Sequence, residues 1–320
     1  MEIVEFEKVT HNRENRHRAF PSIVVKDGKT IQIAYREGSD HVSSLDGRIM
    51  LATSSTNDYN IEELVEEDKN NDLRINHGMT IMSTGDVWVP YFTLNTSHGR
   101  LTTNGYVLTG EGTIPINDPL HRLVPYGKIL EVNNDILMPC YEACNRKGVF
   151  DYAAMLKLDK TRMEFVLDEI IACNHTANIN ETDVVQIKNN LLALSRNEDG
   201  LAVWSIKNIT IENSRFVPVM MSRNIYIDSP AMIEYKGSIY FAGRTYNKWN
   251  NGKTIVTDRN RVSMFKLDDN EISEEMIIEQ CHSWDCGYPS LAIKGNEILC
   301  AYYTEFGFGN SNIKIARIEP

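Results

Sequence analysis

No apolar run in this 320-residue sequence approaches the roughly 18 residues of a membrane-spanning helix, so no membrane partner is expected. The opening segment, MEIVEFEKVTHNRENR, is charged from its second residue and lacks the apolar centre of a secretory signal. Positive charge is in deficit. Lys and Arg total 33 against 44 Asp and Glu, a formal net charge of −11, and the basic stripe of a nucleic-acid-binding chain is missing. An arginine cluster can still sit inside an acidic exterior, so a small anionic ligand stays open. Helix signals are scarce: the one candidate is a short acidic stretch, Asn60 to Asp68 (NIEELVEED), expected as a surface excursion. The six cysteines (Cys140, Cys144, Cys173, Cys281, Cys286 and Cys300) lack zinc-site partners at the usual spacing. Reduced thiols, a cytoplasmic location, no metal and no cofactor are the expectations that follow.

What the sequence does contain is a recurring phrase. A Pro or small polar residue leads an apolar run, then a turn with Gly or Asn, a second apolar run, and a polar or charged end. It appears as FPSIVVKDGKTIQIAYREG (Phe20 to Gly38), HGMTIMSTGDVWVPYF (His77 to Phe92), VPYGKILEVNNDILMPCYE (Val124 to Glu142), NETDVVQIKNNLLALSRNE (Asn180 to Glu198), SPAMIEYKGSIYFAGRTY (Ser229 to Tyr246) and CGYPSLAIKGNEILCAYYTE (Cys286 to Glu305). Each copy reads as a β-hairpin, and starts lying roughly 45 to 60 residues apart suit propeller blades. Weaker strand pairs between the copies, such as YAAMLKLD and RVSMFKLDDNEI, leave room for four strands per repeat. No linker composition divides the chain. The expectation is an all-β, six-bladed β-propeller forming one domain over residues 1–320, with MEIVEFEKV completing the last blade beside NIKIARIEP.

The hairpin ends carry the chemistry. Arg36, Arg196 and Arg244 each follow a second apolar run, and three such arginines directed at one axis suit a carboxylate, which a guanidinium grips with two parallel bonds. Each can instead cap its blade or pair with a neighbouring acid. Glu181 opens the fourth phrase and Tyr288 the sixth; a carboxylate beside a tyrosine can take the phenolic proton and make it a nucleophile. The alternative for Tyr288 is a buried aromatic bonded to backbone. Asp40 and His41, in the loop just after Arg36, are general acid/base candidates.

Taken together, NETDVVQIKNNLLALSR, CGYPSLAIKGNEILCAYYTE and FPSI…AYREG resemble the sialidase (neuraminidase) superfamily of six-bladed propellers. The phrases REGSDH, NET, GR and D…YPS…YYT are similar to BNR-repeat, sialidase-like bacterial proteins over nearly the whole chain. The resemblance implies an arginine triad for a substrate carboxylate, a Tyr–Glu nucleophile pair and an Asp acid/base, outside the usual two-carboxylate glycosidase scheme. It places Glu181 and Arg196 in the family's Glu…Arg hairpin, Tyr288 at its nucleophile, and Arg36 at the end of its first hairpin. The departures are specific. The family's Arg-Ile-Pro motif would put an arginine at Ala19, one residue from Arg18, and a one-residue offset reverses a strand's faces. The Asp-box is absent in intact form, the last triad member is Arg244 or Arg261, the acid/base is Asp40 or His41, and the Asp72–Arg74 segment adds charge at the rim. The expected function is therefore a retaining exo-glycosidase of sialidase type, acting on a sialic-acid-like or other anionic sugar. The alternative is a non-catalytic propeller binding a carbohydrate or nucleotide. A propeller using three axial carboxylates fits less well, because only Glu181 is clearly placed.

Overall fold

A computed structural model describes the chain except residues 11–15, 42–43, 57, 66–69, 96–101, 144–150, 175–177, 247, 251–254, 258–260, 274, 284 and 306–309. Its described strands form six antiparallel sheets and one small hairpin, Lys248–Asn250 with Ile255–Thr257. Each sheet is a blade whose innermost strand abuts the inner strands of its neighbours, closing a ring. The inner strands are His17–Lys26, the pair Asp72–Ile75 and Thr80–Ile81, the pair Leu123–Pro125 and Leu130–Val132, then Ile179–Ile187, Ile227–Tyr235 and Cys286–Lys294. These give blades one to six in chain order, each beginning one copy of the repeated phrase.

Burial explains why the phrase reads as it does. The second strand of a blade is covered on both faces by adjacent blades, so Glu297–Glu305 is buried almost end to end and its sequence is a continuous apolar run. Outer strands face solvent. Tyr59–Val65 and Glu2–Lys8 are exposed at most positions and carry glutamates, which discourage edge-to-edge pairing. The hairpin turns Asn133–Asn134 and Lys236–Gly237 have positive φ at both residues, as tight two-residue β-turns require.

The core is a set of wedges between blades. Ile23, Ile33 and Ile49 of blade one pack in the same cluster as Leu299, Ile313 and Ile315 of blade six, sealing the join of the ring. Each such side chain contributes roughly 1.5–3 kcal/mol when fully buried. The first strand, Glu2–Lys8, forms the outer strand of blade six and pairs with Ser311–Glu319, so both chain ends lock one blade as the sequence suggests.

Two expectations need correction. Residues 60–65 of the supposed helix instead belong to the outer strand of blade one, Tyr59–Val65, paired with Arg48–Ser54; the blade's need for a fourth strand overrides an acidic composition. The remainder of that segment, residues 66–68, lies outside the described residues. Cys281 and Cys286 form a disulfide rather than two free thiols: both are buried, and their Cα atoms are 6.5 Å apart, within bridging range. Cys140, Cys173 and Cys300 are free, and Cys144 lies outside the described residues.

Candidate active site

The site is built by faults in the inner strands. In blades one, four, five and six the inner ladder slips, between Ala19 and Ser22, Ile179 and Thr182, Asp228 and Ala231, and Gly287 and Ser290. Such a bulge bends the strand and re-aims its side chains. Phe20, Ser229 and Tyr288 stand at φ of 58°, 54° and 46°, each followed by a proline that has no N–H to leave unpaired. Left-handed backbone at a non-glycine residue costs on the order of 1–3 kcal/mol and persists only where the surroundings hold it. Here the surroundings are one another. Phe20 packs edge-on against Tyr288 at 4.7 Å between ring centroids, Tyr288 bonds Glu181, and the Ser229 N–H donates to Glu181 at 2.8 Å. Those contacts run from blade one to blade four, across the ring's centre.

The Tyr288 hydroxyl donates to Glu181 Oε1 at 2.5 Å. Burial pushes the Tyr288 pKa well above its ordinary value and the Glu181 charge adds to this, so the phenol rests protonated. Burial alone would raise the Glu181 pKa as well. Arg196, the Tyr288 hydroxyl, Arg244 and the Ser229 N–H outweigh it and hold the carboxyl below its usual range. The pair is thus an ionised acceptor facing a protonated, half-buried tyrosine. Gly287 makes room beside it: a Cβ there would lie 2.9 Å from Arg244 Cβ, at a φ of +101° that side chains avoid.

Two arginines join this group through one acid that the sequence reading missed. Arg196 Nη1 lies 3.4 Å from Glu181 Oε2, and its Nε lies 2.5 Å from Asp228 Oδ1. Arg244 Nη2 lies 3.0 Å from the other oxygen, Asp228 Oδ2, and its Nη1 donates to the Cys286 carbonyl at 3.4 Å. Burial would lower both guanidinium pKa values, but the carboxylates raise them overall. The signal for Asp228 was its place two residues before the proline of its phrase, the position that Ala19 and Gly287 hold in theirs.

The other expected arginines are placed differently. Arg36 has no exposed surface; it donates to Asp72 Oδ1 at 2.8 Å, the Asp40 carbonyl at 2.8 Å and Ser44 Oγ at 2.6 Å. Arg18 is buried against Glu37 at 2.6 Å, Arg74 bonds Asp72 at 2.8 Å, and Arg261 meets Glu275 at 3.3 Å. Arg36 is therefore a brace rather than a ligand-facing group, because its three nitrogens donate to the chain, and Arg18 is buried on its own acid. Nor are the three arginines in one register. Arg36 and Arg244 pair with the residue just before the bulge (Ala19 and Asp228), whereas Arg196 stands opposite the bulge itself, one residue earlier.

Of the acid/base candidates, His41 is the one tied into the site. Its Nδ1 lies 2.8 Å from Asp285 Oδ1, which also accepts from the Tyr303 hydroxyl at 2.6 Å, while His17 Nε2 lies 2.8 Å from Asp285 Oδ2. Burial would raise the Asp285 pKa; the His17 and His41 contacts outweigh it and hold the carboxyl far below its usual range, so both rings present N–H to it. The His41 ring packs at 5.4 Å from that of Phe20, which also contacts the Tyr288 ring. Asp40 is exposed, with Oδ1 accepting the His41 N–H. Arg36 and Arg74 hold this loop, the first through Asp40 and Ser44, the second through the His41 carbonyl at 3.3 Å. His17, His41 and Asp285 also bring three metal-type donors within 4.8 Å of one another, although the carboxylate's oxygens already accept from the rings and Tyr303.

No family model matches the sequence, and no curated protein matches it. Among solved structures, a Dyadobacter fermentans protein of unknown function superimposes with a TM-score of 0.80 at 15% identity, over 99% of this chain and 98% of that one. A Trypanosoma rangeli sialidase in complex with the inhibitor DANA and the Hadza microbial sialidase Hz136 each reach 0.67 at 11% identity. The fold is sialidase-like. Both sialidase matches cover 95% of this chain, which spans 55% and 66% of theirs, respectively. At such identities the likeness concerns the six-bladed propeller alone, and the chemistry of this propeller has to be argued from its own residues.

Proposed function

We propose that this propeller is a glycoside hydrolase that forms a covalent glycosyl-tyrosine intermediate at Tyr288. The observation that carries the reading is the 2.5 Å bond from the Tyr288 hydroxyl to an ionised Glu181 at the ring's centre. As the phenolic oxygen bonds the anomeric carbon, its proton passes to Glu181 and the glycosidic C–O bond breaks. His41, oriented through Nδ1 by Asp285, supplies a proton to the leaving oxygen from its other ring nitrogen. Water then attacks the anomeric carbon, His41 takes its proton, and Tyr288 recovers its own from Glu181. Configuration is retained by the two displacements. The sialidase neighbours support the scaffold on which this pair is mounted.

The test is a panel of fluorogenic glycosides assayed with the wild type and Tyr288→Phe. Loss of the nucleophile is expected to lower kcat by about 10²–10⁴-fold with little change in fold stability. Undiminished turnover in Tyr288→Phe would end the proposal. If glycans bind but none is turned over, the propeller is a binding module.

A further inference from the structure

Among the described residues, the arginines expected to grip an anion each have a carboxylate of this chain against them: Arg18 has Glu37, Arg36 and Arg74 share Asp72, Arg196 has Glu181 and Asp228, and Arg244 has Asp228. Asp228 is the decisive case. It spans Arg196 and Arg244, the two arginines beside the Tyr288–Glu181 pair, with side-chain exposures of 26% and 14%, and offers one oxygen to each. A carboxylate laid between two guanidinium groups is the arrangement that an anionic ligand would itself adopt. The place is filled from within.

Resting on the glycosidase reading of this same site, we propose that Asp228 stands in for a ligand carboxylate and that the sugar accepted at Tyr288 is uncharged. A carboxylate-bearing sugar would have to displace Asp228 from both arginines or bring a second negative charge into the same fork, beside the ionised Glu181. Like charges so placed oppose each other, and burial strengthens the opposition. Among the described residues, Arg18 is turned onto Glu37, and Arg36 and Arg74 onto Asp72, so these arginines already face acids of the chain. A neutral sugar meets no such conflict. Its hydroxyls can donate to the carboxylate oxygens of Asp228 and accept from Arg196, and the ring of Tyr288 offers an apolar face. The Tyr246 hydroxyl is a further partner of the same carboxylate, and burial, and next the charge of Asp228, push its pKa up to about 12.

The experiment compares the wild type with Asp228→Asn, which keeps the shape and removes the charge. Both are titrated at constant ionic strength with sodium acetate, glucuronate, N-acetylneuraminate and the methyl glycosides of glucose, galactose, mannose and fucose. Binding is read by calorimetry, so no turnover is required. Asp228→Asn should bind acetate and glucuronate about tenfold or more tightly than the wild type does, and the wild type should bind glucuronate no better than methyl glucoside. Equal acetate and glucuronate binding by the two proteins, or wild-type preference for either anionic sugar, overturns the inference. Should Asp228→Asn fail to fold, Asp228→Ser replaces it, and the wild-type glucuronate-to-methyl-glucoside ratio decides by itself. The two readings can fail separately. Turnover of a sialoside by the wild type would uphold the glycosidase and sink the neutral-sugar assignment. Absence of turnover with the acetate gain intact would do the reverse.

Discussion

Arg36 and Arg244 occupy the same place in their blades, each ending the second strand and each paired with the residue just before the inner-strand bulge. Their fates differ because their cross-strand partners differ. Arg244 faces Asp228 in its own blade, which keeps its guanidinium at the axial site beside Tyr288 and Glu181. Arg36 faces Ala19, so its acid comes from the next blade: Asp72 meets it between blades one and two, where it has no exposed surface. Gly47 leaves the space, since a Cβ there would collide with the Asp72 carboxylate. A repeat can thus set down the same residue twice and obtain a structural brace once and a site group once. The local acid decides which.

The largest separation should come from removing each arginine. Arg36→Ala leaves Asp72 buried with only Arg74 against it and frees the loop that carries His41. Breaking a buried ion pair costs about 3–5 kcal/mol, so a large fall in Tm is expected with loss of activity following from it. Arg244→Ala leaves Asp228 still paired with Arg196, so a smaller fall in Tm is expected, while ligand binding at the site is lost. Thermal unfolding of both variants checks this. Equal stability losses would show that Arg36 is not the brace its burial implies.

The fold was legible because the repeat is local chemistry: turns of Asn and Gly between apolar runs, six times over, leave little but blades. The pairing of Tyr288 with Glu181 was legible too, since both begin inner strands. Asp228, Asp285 and His17 were not singled out, because nothing in a single sequence says that Asp228 meets Arg196 across 32 residues or that His17 meets Asp285 across 268. The bulges are the deeper reason. A slip of one ladder position moves a side chain between faces, and only the folded register tells that Arg196 is out of step with Arg36 and Arg244.

Acid should probe the axial half next. Glu181, Asp285 and Asp183, a buried acid two residues on from Glu181 in the same inner strand, all have folded pKa values below the ordinary carboxylate range, net of a burial effect that acts the other way. A depressed folded pKa means that the unfolded chain binds the proton first as pH falls. Each group's contribution is therefore complete above about pH 4.5 and is lost progressively as pH drops toward its folded value, at up to roughly 1.4 kcal/mol per group for each pH unit. Stability should be flat from neutrality to about pH 5 and then fall steeply. Glu181→Gln should flatten that fall; an unchanged acid profile in this variant would remove Glu181 from the set.

The smallest effect concerns the disulfide beside Arg244. Cys281 and Cys286 bridge a short loop that carries Asp285, and the Cys286 carbonyl accepts from Arg244. Closing so short a loop restricts the unfolded chain little, so reduction should cost about 2 kcal/mol or less. Its local effect should be larger than its global one, because the loop positions the carboxylate that orients His41 and His17. Cys140 and Cys300 supply an internal control: burial pushes both thiols up, so neither reacts in the folded state, whereas Cys173 is exposed. Alkylation of the native protein should therefore mark Cys173 and spare Cys140 and Cys300, with Cys281 and Cys286 labelled only after reductant. Reduction should then weaken ligand binding at Tyr288 while leaving the Arg36 brace intact, seen as a modest fall in Tm beside a larger loss of affinity. Labelling of Cys281 and Cys286 without reductant would show that the loop is held by its hydrogen bonds and packing instead, and that the two arginines differ only in their acids.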